Sequence, residues 1–193
     1  MKRMLSMIAL ALMSSAPLLY ANDKETLFDE EDTWNLYTKL GLSYAEIGAD
    51  EALWGTVEVG GILNNRLALG LRVTAWGEDV DADFDRNNKV DMFDVVYGGL
   101  ALEYIGWANK LVHISGGLFV GGGQLRMNRS SDGDDKDIGL FVLEPSLQAM
   151  VNETPRSELG VGVGYRYADA GSGVGDDELS GVVGTLFLRL TSN

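Results

Sequence analysis

The stretch that decides the fold is NRLALGLRVTAW, residues 65–76, in which large aliphatic residues alternate with small or polar ones. One side of this segment carries Leu67, Leu69, Leu71 and Val73. The other side carries Ala68, Gly70, Arg72 and Thr74. A period of two predicts a β-strand with two different faces. In a soluble sheet the leucines would face a core, whereas in a membrane barrel they would face lipid and Arg72 would lie inside.

Alternation of the same kind recurs along the chain and predicts eight strands. They span residues 34–45, 52–63, 67–76, 92–105, 111–126, 138–151, 157–168 and 179–190. The connections after the second, fourth and sixth strands are short, and those after the first, third, fifth and seventh are longer and acidic. In an up-and-down meander every second connection lies at the same end. One end would therefore carry tight turns and the other acidic loops, which is typical of outer-membrane barrels.

The N-terminal segment predicts export. Two cations precede an apolar run that ends before Ala21, the pattern of a secretory signal peptide over residues 1–21. Residues 22–33, NDKETLFDEEDT, show no periodicity and are rich in acids, which predicts a flexible acidic periplasmic tail. Residues 34–193 would then form a single β-barrel domain.

Composition excludes several classes of protein. The net charge is −14, or −16 without the two cations of the predicted signal peptide, so no basic surface is available for nucleic acid. The chain contains no cysteine, so disulfides cannot stabilise it. After residue 21 no apolar stretch reaches the roughly 20 residues of a spanning helix. A membrane-spanning form would therefore have to be a closed barrel.

The two faces of the predicted strands indicate which side meets lipid. One face is an unbroken series of aliphatic and aromatic residues, whereas the other mixes glycine and alanine with a few long polar residues. An eight-stranded barrel is only wide enough inside for side chains to fill it, so the glycine-rich face suits the interior. A two-sheet sandwich would leave that face on the surface together with exposed strand edges. We therefore predict an all-β, eight-stranded antiparallel up-and-down transmembrane β-barrel in the outer membrane.

The inward face of this predicted barrel carries charges that can neutralise one another. These candidate lumen residues are Lys39, Glu58, Arg72, Glu103, His113, Glu144, Arg166, Glu158 and Arg189. Turn lengths and strand parity predict the pairs Glu58–Arg72, Glu103–His113 and Glu144–Arg166, with Lys39 level with Glu58 and Glu158 near Arg189. Breaking one such pair would leave a buried charge at a cost of roughly 3 to 5 kcal/mol. The charges therefore predict a closed lumen.

Two glycine-rich stretches carry a resemblance to known proteins. They are YGGLALEYIGWANKLVHISGGLFVGGG, residues 97–123, and FVLEPSLQAMVNETPRSELGVGVGYRY, residues 141–167. Both resemble a group of Gly-rich outer-membrane proteins without established activity, and the whole pattern resembles small eight-stranded barrels such as the membrane domain of outer membrane protein A. The resemblance implies contact with outer-membrane lipid and passage through the outer-membrane insertion machinery. Such barrels commonly end on an aromatic residue, whereas this chain ends LFLRLTSN, with Phe187 on the inward face.

One motif invites a catalytic interpretation. His113 and Ser115 reproduce the His-x-Ser spacing of outer-membrane lipid A deacylases, in which a base activates a serine nucleophile. Here Gly116 and Gly117 follow where that family has Asn-Ala, and both side chains of the motif would point inward, away from lipid. We therefore expect no enzymatic activity and no cofactor, and a hydrogen-bonded role for His113 in the lumen.

The third connection invites a metal-site interpretation, since four aspartates alternate there: Asp79, Asp81, Asp83 and Asp85. A calcium loop of the EF-hand type fails, because Phe84 and Val90 occupy the positions that need glycine and a bidentate acid. A loose divalent site stays open beside a solvated acidic loop.

The predicted function is a structural or surface-interaction role in the outer membrane. Acidic outer loops could engage divalent cations, lipopolysaccharide through a bridging metal, or a cationic partner. The alternatives are a narrow solute pore, a lipid-modifying hydrolase and a soluble lipocalin-like barrel.

Overall fold

A computed structural model describes residues 33–47, 50–76, 82–85, 88–90, 92–128, 136–171 and 179–192. The strands are β1 (Trp34–Ile47), β2 (Asp50–Leu63), β3 (Leu67–Trp76), β4 (Ala82–Asp85), β5 (Asn88–Val90), β6 (Met92–Gly106), β7 (Val112–Asn128), β8 (Lys136–Thr154), β9 (Ser157–Asp169) and β10 (Gly181–Thr191). The predicted signal peptide lies outside the described residues, as does the predicted tail except Thr33. In the described part of the chain, no helix is long and apolar enough to cross a membrane.

Eight of the strands close into one antiparallel barrel. Their order around the wall is β1, β2, β3, β6, β7, β8, β9 and β10, and β10 pairs back with β1. Each strand therefore lies beside the next long strand in the sequence, and closure leaves no unpaired edge. The predicted fold class is confirmed, and every predicted strand end lies within three residues of the observed one.

Two connections at the loop end differ from prediction. The β1–β2 ladder continues to the pair Ile47↔Asp50, so only residues 48 and 49 separate these strands and the longer acidic loop predicted there is wrong. Pairing needs only backbone groups, so Glu46 and Glu51 extend the ladder beyond the apolar alternation that marked the strands. The third connection contains the unpredicted β4–β5 hairpin.

The turn between β2 and β3 explains why its register could be predicted. Asn64 and Asn65 have φ of 52° and 56°, and the Arg66 amide donates a hydrogen bond to the Leu63 carbonyl at 2.9 Å. Positive φ at both central residues gives a turn whose twist matches that of paired strands, and asparagine tolerates this region. Leu63 consequently pairs with Leu67, as predicted.

The turn between β6 and β7 shifts the register by four residues. Trp107 is left-handed with φ of 55°, the Lys110 amide donates to the Trp107 carbonyl at 2.8 Å, and the ladder ends at Gly106↔Ile114. Ile105 therefore lies opposite Ser115 rather than Leu111. An even shift keeps every side chain on its predicted face, although it changes the pairs across the ladder.

The outer surface is aliphatic over most of its height. Leu69 and Leu71 of β3 are 50% and 61% exposed, whereas Ala68, on the opposite face of the same strand, is fully buried. Aromatic residues lie near both ends of the band, with Trp34 at the tight-turn end and Tyr44 at the loop end of β1. Their ten-residue separation corresponds to ~34 Å of strand, which projects to ~26 Å at a tilt of ~40°. This height matches the ~25 Å apolar band of outer-membrane barrels.

Two apolar clusters lie in the barrel interior, one towards each end. At the tight-turn end the buried cluster consists of Tyr37, Ile62, Ala68, Ile105, Met150 and Phe187. Nearer the loop end, a larger cluster includes Trp54, Tyr97 and Phe119. The Trp54 and Tyr97 rings lie 6.0 Å apart and the Tyr97 and Phe119 rings 5.7 Å apart. The charged residues of the interior are interleaved with these clusters, since Glu103 pairs with Ala68 and Glu144 with Phe119 in the ladders.

Candidate functional site in the barrel interior

The candidate site is a layer of charged side chains across the lumen. Its members with formal charge are Lys39, Glu58, Arg72, Glu103, Glu144, Glu158, Arg166 and Arg189. Strand alternation points all of them inward. Most are nearly inaccessible to solvent, while the side chains of Arg72 and Glu158 are 13% and 19% exposed. Four carboxylates and four cations make the layer neutral.

The first group of contacts, which we call the Glu103 network, centres on one carboxylate. The Lys39 ammonium lies 2.6 Å from Glu103 Oε2, and Arg189 donates a short hydrogen bond to Glu103 Oε1. Arg189 also reaches Glu158, with Nη1 3.1 Å from Oε2. Each carboxylate oxygen of Glu103 thus accepts a charge-assisted hydrogen bond, the stronger type of protein hydrogen bond.

The second group, which we call the Glu144 network, contains the remaining formal charges. Arg72 Nε lies 2.7 Å from Glu58 Oε2, and Arg72 Nη1 lies 3.3 Å from Glu144 Oε1. Arg166 Nε approaches Glu144 Oε2 at 3.4 Å. The order is therefore carboxylate, cation, carboxylate, cation, so this network also has no net charge.

Polar and aromatic side chains join and cover the two networks. The Tyr37 hydroxyl donates to Glu58 Oε1 at 2.6 Å, and the Tyr37 ring lies 5.4 Å from the Arg189 guanidinium, so Tyr37 contacts both networks. Arg166 stacks 4.5 Å from the Trp54 ring. Cation–π contacts of this kind stabilise a cation that has left water. The sequence pattern assigned neither Tyr37 nor Trp54 a role in the interior.

Three of the ion pairs cross the lumen. Arg189 on β10 and Glu103 on β6 come from opposite sides of the eight-stranded wall. Lys39 on β1 also meets Glu103 across the interior, and Arg72 on β3 meets Glu144 on β8. The other pairs join neighbouring strands, with Glu58 opposite Arg72 and Glu158 opposite Arg189 in the ladders. Lys39 is level with Glu58 in its ladder but bonds Glu103 instead.

His113 does not occupy its predicted place. Glu103 lies opposite Gly117, so the predicted Glu103–His113 pair is wrong because of the longer turn before β7. The nearest acid is Glu158, whose Oε1 lies 3.8 Å from His113 Nε2. His113 and Ser115 are buried, and in the described residues neither ring nitrogen of His113 nor the Ser115 hydroxyl has a hydrogen-bond partner. The expected hydrogen-bonded role of His113 in the lumen therefore stays a prediction.

Inward glycines provide room for the aromatic rings that fill the lumen. A Cβ at Gly160 would overlap the Phe187 ring, and one at Gly121 would overlap the Phe119 ring. Phe187 in turn lies 4.6 Å from the Lys39 ammonium. These two glycines therefore provide the space that the inward aromatic rings need.

The space between the two networks is small, although a wider pocket of about 560 Å³ opens at the tight-turn end and reaches Glu158. A cavity of about 30 Å³ lies between the networks, lined by residues that include Lys39, Arg72, Thr74, Glu144 and Thr185. This volume holds roughly two water molecules, and its polar lining offers them hydrogen bonds.

Parts of the acidic connections lie outside the described residues. Asp79 and Asp81 lie outside the described residues, and Asp83 and Asp85 belong to β4. In the portion of the chain that is described, no group of three or more potential metal-ligating side chains occurs.

Comparison with known proteins identifies the fold. No protein-family profile matches the sequence, and a search of curated proteins gives no match. The neisserial surface protein A structure matches with a TM-score of 0.58 and 16% identity, covering 83% of this chain and 99% of that one. A major outer membrane protein from Thermus thermophilus matches with a TM-score of 0.58 and 12% identity, covering 82% and 99%.

A third solved structure is Ail, the attachment invasion locus protein of Yersinia pestis, in complex with the heparin analogue sucrose octasulfate. It matches with a TM-score of 0.51 and 16% identity, covering 83% of this chain and 96% of that one. The shared feature is the closed eight-stranded antiparallel wall. At these identities the likeness concerns the fold, and the chain has the fold of the small eight-stranded outer-membrane β-barrel proteins.

Proposed function

We propose that this protein is a non-enzymatic outer-membrane barrel with a structural or surface-interaction role and a lumen closed by internal ion pairs. The observation that carries the proposal is the neutral charged layer, whose ion pairs meet across the lumen and leave a cavity of about 30 Å³ between the two networks. The aliphatic outer face supports the membrane location. The tight-turn end would face the periplasm and the loop end the exterior.

Closure follows from the energy needed to separate the pairs that cross the lumen. Opening a path past Glu103 would part it from Lys39 and Arg189, all of which are 5% or less exposed. Leaving a buried charge without its partner costs about 3–5 kcal/mol. A cost of about 4 kcal/mol corresponds to roughly one open molecule in a thousand, so the closed state would dominate.

Single-channel recording tests this proposal. We expect the folded protein in a planar lipid bilayer to show no steady open state. Folding is checked beforehand by electrophoresis with and without boiling, because a folded barrel migrates differently from the denatured chain. A sustained ion current from protein that passes this check would overturn the closed-lumen proposal in favour of the narrow pore.

The charge of the predicted outer loops indicates the kind of surface partner. Ail was solved with a sulfated heparin analogue. The corresponding connections of this chain include NRSSDGDDKD, residues 128–137, and DAGSGVGDDE, residues 169–178, both rich in acids. Carboxylates repel sulfate, so we propose a cationic partner or lipopolysaccharide held through divalent cations. Much of both stretches lies outside the described residues, so the proposal rests on their composition.

Binding of the folded protein to immobilised heparin and to immobilised polylysine distinguishes these partners. We expect polylysine to retain the protein in low salt and heparin to retain it only when Mg²⁺ is added, if at all. A matched variant with the acids of residues 132–135 changed to their amides should lose part of the polylysine binding. Retention by heparin in the absence of divalent cations would contradict the proposal.

The interior geometry supports the absence of hydrolase activity. Within the described residues, Ser115 makes no hydrogen bond to His113, so the serine lacks the base that would activate it. We expect His113→Ala and Ser115→Ala to leave lipid A composition unchanged when expressed in cells. Altered acylation of lipid A by the parent protein, lost in both variants, would reinstate the hydrolase.

A further inference from the structure

A groove on the outside of the barrel lies at the tight-turn end. It has a volume of about 800 Å³ and is bordered by the β2–β3 turn, the β6–β7 turn and the outer face of β7. Volumes of 300–1,000 Å³ are usual for small-molecule sites. The two turns are neighbours because β3 pairs with β6, and the Ile105 amide donates to the Arg66 carbonyl at 2.7 Å.

The groove is polar at one side and apolar at the other. The turns contribute Arg66 and Lys110 together with Asn64, Asn65 and Asn109, while Ile114 and Leu147 line the part that faces the lipid band. Such a gradient suits an amphiphile whose polar head lies at the membrane interface and whose chains lie along the wall.

The two cations carry charge that the described residues do not neutralise. Arg66 and Lys110 are exposed, and no ion pair involving either side chain occurs among the residues that the structure describes. The interior cations, by contrast, each contact a carboxylate. Two uncompensated cations beside one groove, in a strongly acidic protein, favour an anionic ligand.

The apolar part of the groove passes over Gly116. A Cβ added there would meet only Leu147 Cδ2, at 3.9 Å, so the missing side chain leaves an open notch in the aliphatic wall. Tyr104 and Trp107 flank the groove and are 60% and 69% exposed. Exposed aromatic rings of this kind are characteristic of the level of lipid headgroups.

We propose that this groove binds one anionic glycerophospholipid of the periplasmic leaflet. Arg66 and Lys110 hold the phosphate, Tyr104 and Trp107 lie beside the glycerol region, and an acyl chain occupies the notch at Gly116. The proposal rests on the membrane orientation given above, because only that orientation brings the groove to the leaflet rich in phospholipid.

Native mass spectrometry of the full chain, refolded in a non-ionic detergent and titrated with phosphatidylglycerol, tests the site. We expect tighter binding of phosphatidylglycerol than of phosphatidylcholine, whose own cation offsets its phosphate. Arg66→Gln and Lys110→Gln should each weaken phosphatidylglycerol binding about fivefold, because a basic residue near an anionic lipid contributes about 1 kcal/mol. Arg156→Gln is the matched control, since Arg156 lies on the third tight turn outside the groove and should have no effect.

A second pair of variants tests the notch. Gly116→Leu should fill the groove and weaken lipid binding without impairing folding, whereas Gly184→Leu, at an outward glycine with open space elsewhere on the wall, should not weaken it. Unchanged binding in both Arg66→Gln and Lys110→Gln, or an equal loss in Arg156→Gln, would overturn the proposal. So would binding of inorganic phosphate as tight as that of phosphatidylglycerol. Failure of the parent protein to insert into vesicles would instead refute the membrane location.

Discussion

The most direct test of the charged interior is Glu103→Gln, which removes one charge and almost no volume. Glu103 accepts hydrogen bonds from both Lys39 and Arg189, and its side chain is only 4% exposed. The substitution leaves the interior with one excess positive charge and weakens both contacts. Two charge-assisted hydrogen bonds at about 1.5–3 kcal/mol each, or one broken buried pair at about 3–5 kcal/mol, give consistent magnitudes. We expect a loss of about 3–5 kcal/mol in the free energy of unfolding.

Urea unfolding of the refolded protein in phospholipid vesicles, followed by tryptophan fluorescence, measures this loss. The midpoint should fall while the dependence on urea stays the same, because the substitution changes stability and not the surface exposed on unfolding. Glu158→Gln is the matched control. Its side chain is 19% exposed, hydrogen-bonds one arginine and lies 3.8 Å from His113, so we expect a loss of only about 1–2 kcal/mol.

A compensating change separates charge imbalance from lost packing. Lys39→Met together with Glu103→Gln restores neutrality, and replacing buried ion pairs by apolar groups is often nearly neutral in stability. We expect the double variant to be more stable than Glu103→Gln alone, with a coupling energy of about 2 kcal/mol or more. Additive effects of the two substitutions, or equal losses in Glu103→Gln and Glu158→Gln, would refute this account of the interior.

Two further predictions concern the packing and the orientation of the wall. Gly160→Val should destabilise the barrel by about 1–3 kcal/mol in the same urea assay, because its side chain would overlap the Phe187 ring, whereas Gly184→Val meets open space and should change stability little. A loss at Gly184 equal to that at Gly160 would contradict this. A nitroxide attached at Leu69, on the exposed face, should be relaxed strongly by oxygen dissolved in the bilayer, and one at Thr56, beside the lumen cavity, should be protected. The reverse pattern would mean that the aliphatic face does not contact lipid.

The sequence predicts contacts between neighbouring strands better than contacts across the lumen. Alternation identifies the inward face, and a short turn sets the register, so Glu58 opposite Arg72 follows from the two asparagines of the β2–β3 turn. The same reasoning failed for Glu103 and His113. The chain turns at the left-handed Trp107, and the β6–β7 ladder ends at Gly106↔Ile114, although residues 111–113 continue the alternation of a strand. Turn conformation, rather than hydrophobic pattern, decided that pair.

Contacts across the lumen depend on quantities that alternation does not encode. Arg189 and Glu103 lie on opposite sides of the wall, and their heights coincide only through the tilt and stagger accumulated over the intervening strands. Lys39 could be placed level with Glu58 from the sequence, yet it extends across the interior to Glu103.

Whether the ion pairs cross the lumen or only join neighbouring strands determines whether a charged lumen can conduct ions. If the eight interior charges were paired only with neighbours in the ladder, they would line the wall and leave the centre open. The pairs from Lys39 and Arg189 to Glu103, and from Arg72 to Glu144, instead bring side chains together across the centre. The same inventory of charges is therefore compatible with a pore or a closed barrel, and the reach of the long cations across the interior, given its narrow diameter, is what favours closure.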